Sequence, residues 1–110
     1  MSSAAVLLGL PNLVHYVTSK AGLIGMTRSM AREAGQFGIT VNAILPGMVE
    51  TEVQNPDRSE ERVTALLRRQ AIPRMQTPED LIGVLFFLAS PASDFMTGQA
   101  LLVDGGLAHL

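Results

Sequence analysis

Along residues 16–34 the apolar and small side chains fall at Ala21, Leu23, Ile24, Thr27, Met30, Ala31 and Ala34, with Arg28, Arg32 and Glu33 at other positions. This is the 3.6-residue period of a helix with one dry side and one wet side, and it predicts a long amphipathic helix. Gly35 and Gly38 flank Gln36 and Phe37 at its end, and glycine can adopt the left-handed conformation that stops a helix, so the end is expected near Gly35. Residues 39–45 are short, rich in β-branched side chains and apolar at nearly every position, which predicts a strand covered on both faces and closed by Pro46 and Gly47.

Residues 50–59 are polar and hold Asn55, Pro56 and Asp57, the composition of a loop. Asp57, with Glu60 three positions on, is placed to cap a helix reaching about Gln70. Thr77, Pro78, Glu79 and Asp80 form a second helix start: a capping hydroxyl, a proline suited to the first turn and two acids favoured at the positive helix end. A buried helix over residues 78–89 is expected to follow. Thr97 and Gly98 signal a turn, residues 100–103 a second apolar strand, and Asp104, Gly105 and Gly106 its closing turn.

Helices alternating with fully apolar strands predict an α/β fold, a parallel sheet with helical crossovers. Two strands make a poor sheet, because a parallel pair buried on both faces needs neighbours for its edge amides, so further strands are expected to complete it. No repeat, low-complexity tract or interdomain linker interrupts residues 1–110, which read as part of one domain.

Composition narrows the partners. The chain is 47% hydrophobic and only 16% charged, which argues for a packed core. A formal net charge of -2 without a basic run offers no footprint for nucleic acid or an anionic membrane. The most apolar window, residues 81–89, is far shorter than the roughly 20 residues a membrane helix needs. The absence of cysteine excludes disulfides, a cysteine zinc site and a thiolate nucleophile, and fits a reducing cytoplasm. Two histidines with no carboxylate at ligand spacing make no metal site, and none is expected.

The candidate chemistry lies at Tyr16 and Lys20. Four residues apart on a helix, their side chains emerge on one face, with the ammonium near the phenol. A free phenol titrates near about 10, and an adjacent positive charge draws that value toward useful acid/base chemistry. On its own such a pair is more often plain helix surface. Pro46 and Gly47 on their own are a strand-ending turn, and Asn42 inside the apolar strand is better read as a structural amide. Arg68, Arg69 and Arg74 are better read as solvated groups, those at a helix end favouring its dipole.

Three linked strings change the balance. "HYVTSKAGLIGMTRSMARE", "GITVNAILPGMVET" and "TGQALLVDGG" resemble the short-chain dehydrogenase/reductase family in content, order and spacing, over essentially all 110 residues and with likeness to its 3-oxoacyl-acyl-carrier-protein reductases. The resemblance implies the C-terminal part of a Rossmann-like doubly wound sheet and an NAD(P)(H)-dependent oxidoreductase that interconverts an alcohol and a ketone or aldehyde. It implies Tyr16 as general acid/base, Ser3, thirteen residues earlier, as hydrogen-bond donor to the substrate oxygen, and Lys20 on the nicotinamide ribose. Pro46, Gly47, Val49 and Thr51 match the segment that contacts the nicotinamide end of NAD or NADP. It further implies a small-molecule substrate and a homo-oligomer, dimer or tetramer.

The family's glycine-rich Thr-Gly-x-x-x-Gly-x-Gly turn and its Asn-Asn-Ala-Gly segment both precede the serine, and neither occurs in these residues. The expectation is a truncated catalytic portion that binds the nucleotide weakly. A noncatalytic piece that keeps the family's association surfaces is the alternative. Gln76 stands where many relatives have glycine, and Phe37 where acyl-carrier-protein reductases often carry a basic residue.

Overall fold

The computed structural model describes residues 1–50 and 58–110. Helix α1 (Ala5–Leu8) precedes the long α2 (Val14–Ala34), strand β1 (Ala43–Pro46), α3 (Glu60–Arg69), α4 (Ile82–Leu88) and strand β2 (Ala100–Val103). The two strands pair in parallel, with Ala43 opposite Ala100 and Pro46 opposite Val103. A parallel pair cannot be joined by a tight turn, and α3 and α4 lie on the connection between its strands.

The first residues run along the other side of β1. Ser2 N–H donates to Ile44 O at 2.8 Å and Ala4 N–H to Pro46 O at 2.9 Å, the every-second-residue spacing of a parallel pairing. β1 is therefore flanked on both sides. All four of its residues are buried and Leu45 is fully enclosed, whereas β2, whose single strand partner among the described residues is β1, is half-buried throughout.

β1 starts at Ala43 rather than at residue 39, for a reason that lies far along the chain. Val41 N–H donates to Thr97 Oγ1 at 3.0 Å, and the Asn42 amide donates to Met96 O at 2.9 Å while accepting from Gln99 N–H at 3.1 Å. These groups hold the turn before β2 instead of extending the ladder, and Asn42 is the structural amide its setting suggested. Beyond α2, Gly35 keeps right-handed geometry at the head of a short 3₁₀ turn, Gly35–Phe37, and Gly38 takes the left-handed position with φ 73°.

α3 is capped by Ser59, whose Oγ accepts the Arg62 N–H at 3.3 Å; the predicted cap, Asp57, lies outside the described residues. The second start signal is realised by the Asp80 carboxylate, which accepts the Thr77 N–H at 2.8 Å, and the first turn over Pro78–Leu81 is 3₁₀ before α4 continues. The expected burial of that helix is not found. Leu81 is buried, but no residue of α4 is, and Ile82, Leu85 and Phe86 are exposed.

Candidate active site

The opening residues run beside β1 as far as Pro46 at its carboxyl end and touch the first turns of α2, and the loop after β1 leaves from that same end. The opening segment is tied to β1 by its backbone and to α2 by Ser2, whose Oγ donates to Lys20 O at 2.7 Å. Lys20 Nζ donates to Met1 O at 3.2 Å and lies 5.6 Å from the centroid of the Tyr16 ring. That is within cation–π range, so the pairing expected from a four-residue spacing is present. An ammonium has three donors, and the bond to Met1 leaves two for a ligand. Tyr16 is 36% exposed.

Ser3 is buried, and its Oγ accepts the Ala5 N–H at 3.2 Å, which supports the start of α1. Accepting that bond leaves the hydroxyl proton available for donation. His15, beside Tyr16, is exposed.

Pro46 closes β1, and its carbonyl receives the Ala4 N–H. Gly47 N–H is shared between Val103 O at 3.0 Å and the Gln76 Oε1 at 2.9 Å. A Cβ at Gly47 would stand 3.0 Å from the Asp104 Cβ and 3.2 Å from Gln76 Oε1, so the close approach of the residue after β2 favours glycine there. Val49 bridges in parallel to Gln76, and Thr51 lies outside the described residues.

Asp104 closes the turn after β2 as its sequence setting suggested, whereas the long-range partners of Gln76 could not be read from the sequence. Gln76 is 6% exposed; besides accepting from Gly47, its Nε2 donates to Val103 O at 2.8 Å and its carbonyl accepts Glu50 N–H at 2.7 Å. The Asp104 carboxylate folds the glycine turn by accepting Gly106 N–H at 2.9 Å and Ala108 N–H at 2.8 Å. Nearby, Arg74 grips Asp80 through two bonds of 2.7 and 2.6 Å. That guanidinium first, and the Thr77 N–H second, hold the Asp80 carboxyl well below the ordinary carboxylate range.

A family model described as enoyl-(acyl carrier protein) reductase matches residues 1–108. The chain belongs to the short-chain dehydrogenase/reductase family. It is 47% identical over 107 residues to a probable galactose dehydrogenase of Rhizobium meliloti (strain 1021), covering 96% of this chain and 42% of that protein. It is 41% identical over 107 residues to a 3-oxoacyl-[acyl-carrier-protein] reductase of Thermotoga maritima, covering 97% of this chain and 43% of that protein. Among solved structures, a 4-hydroxyisoleucine dehydrogenase complexed with NADH and succinate superposes with a TM-score of 0.86 at 32% identity, over 96% of this chain and 43% of its own. A Serratia marcescens short-chain dehydrogenase/reductase mutant gives 0.86 at 37% identity, over 98% and 44%. The chain thus spans well under half the length of the relatives it matches.

Proposed function

We propose that this chain is the catalysis-bearing portion of a single-domain NAD(P)(H)-dependent oxidoreductase that interconverts a small-molecule alcohol and its ketone or aldehyde. The observation that carries this reading is the contact of Lys20, beside Tyr16, with the opening segment that runs along a parallel strand to its carboxyl end. Open α/β sheets bind ligands at that end of their strands. The donors fit the nicotinamide-ribose end of such a cofactor: Lys20 Nζ retains two, and Gly47 leaves the loop after β1 without a side chain. NAD(P)(H), when bound, supplies or accepts the hydride.

The chain's own residues then handle position and proton. Tyr16 Oη gives its proton to the carbonyl oxygen in reduction and takes it from the alcohol in oxidation. The Ser3 hydroxyl donates to the same oxygen and fixes its distance from Tyr16. Lys20 grips the ribose hydroxyls, and Pro46, Gly47, Val49 and Thr51 line the nicotinamide end. The remainder of a doubly wound sheet, contributed by the greater length of the relatives, would supply most of the nucleotide affinity. Phe37, 73% exposed and uncharged, weighs against an acyl carrier protein as substrate carrier.

Titration of the isotope-labelled chain with NADH and NADPH tests this site. Weak but saturable shifts centred on Tyr16, Lys20 and Gly47, abolished by Lys20→Ala, are expected; shifts elsewhere, or none, would count against it. Where turnover is measurable, Tyr16→Phe should lower kcat by about 10²–10⁴-fold. A second reading, a noncatalytic chain that works by association, is favoured by the exposed apolar residues Ile82, Leu85 and Phe86 of α4.

A further inference from the structure

At the opposite end of α2 from Tyr16, a cleft of about 640 Å³ opens between that helix and the approach to β2. Twelve residues separate Tyr16 from Arg28, about 18 Å along a helix. The strands enter here with Ala100, whereas the candidate catalytic groups stand where they leave. The volume suits a small molecule.

Arg28 and Arg32 form one wall, a turn apart on α2, and Thr97, Gly98, Gln99 and Ala100 the other, with Ala31 and Leu110 as apolar lining. Among the described residues no Asp or Glu side chain lines the cleft. Among the described residues the ion pair is Arg74–Asp80, and neither Arg28 nor Arg32 has a side-chain hydrogen bond or an ion pair. Arg32 sits in the last turn of α2, where a cation favours the helix dipole, but Arg28 lies a turn further in, beyond that effect. The facing wall adds an amide: Gln99 Nε2 donates to Thr97 O at 2.9 Å and keeps a second N–H. Gly98, at φ 72° and with its N–H bonded to Val41 O at 2.7 Å, fixes that wall.

We propose that this cleft binds a small dianion, either a phosphate group or a dicarboxylate, gripped by the Arg28 and Arg32 guanidinium forks and by the Gln99 amide. Guanidinium matches the paired oxygens of either group through two parallel bonds, and two such groups on one wall match a double charge. The site is independent of the redox chemistry proposed for Tyr16.

Titration of the labelled chain with inorganic phosphate, and separately with malonate, at constant ionic strength set by sodium chloride, tests it. Saturable shifts at the Gly98, Gln99 and Ala100 amides and the arginine Nε–H groups are expected from at least one probe; which probe saturates separates the two sources. Arg28→Gln and Arg32→Gln should each weaken binding roughly tenfold, and Arg28→Lys, which keeps the charge but not the fork, should fall between. Linear shifts no larger than those from chloride, or saturation that survives in both glutamine variants with their remaining spectra unchanged, would overturn the proposal.

Discussion

At Gln76 one buried amide joins the loop after β1 to the end of β2, taking the Gly47 N–H at 2.9 Å and giving to Val103 O at 2.8 Å. Gln76→Ala removes both bonds and leaves space where the amide stood. The Gly47 N–H keeps Val103 O at 3.0 Å, so no donor is stranded, and the expected loss is roughly 1–3 kcal/mol in urea unfolding. A change below about 0.5 kcal/mol would mean the amide is only a passenger. The family resemblance marks Gln76 as a departure, but its partners stand 29 and 27 residues away. The Tyr16–Lys20 pairing was legible because it is local, one helical turn; the role proposed for Ser3 rests on family spacing.

The start of the α4 segment depends on a charge, and its behaviour with pH follows. Asp80 accepts from Thr77 N–H and from both Arg74 nitrogens, which places its folded pKa below the ordinary 3.8. A depressed carboxylate contributes stability that is complete above the unfolded pKa and is lost as pH falls below about 4 toward the folded value. The pair is solvent-exposed and screened by salt, so the effect is modest. Other carboxylates titrate in the same window, so the readout is a difference: between pH 6 and pH 3 the melting temperature should fall further in the native chain than in Asp80→Asn. Equal slopes would show that the pair contributes nothing. Such capping signals are local in sequence, which is why this helix start was legible. The start of β1 was not, because the Asn42 clamp on the turn before β2 reaches across more than fifty residues. The apolar pattern of α4 predicted a covered helix, yet a pattern records that a face is suited to being covered and not what covers it.

A compact monomer of 11.7 kDa exposes about 5,900 Å², whereas this chain exposes 7592 Å². Its radius of gyration is 15.1 Å, against about 13 Å for a compact chain of this length. The excess, about 1,700 Å², is about twice the roughly 800 Å² that each partner buries in a standard-size protein–protein interface. Part of it is apolar and sits on one element, with Phe86 at 73% exposure on α4 and Phe95 just beyond. Burial of such area is favourable at about 25 cal/mol per Å² before the costs of association. The isolated chain is therefore expected to self-associate, with a sedimentation coefficient and a melting temperature that both rise with concentration. Phe86→Ser should shift the equilibrium toward monomer without altering the helical circular dichroism, because Phe86 packs on little within the chain. A native chain that sediments as one monomeric species at about 100 times the concentration of a dilute sample, with an unchanged melting temperature, would show that it tolerates its open surface alone. The association reading of α4 would then fall, and the candidate site at Tyr16 would stand or fall on nucleotide binding by itself.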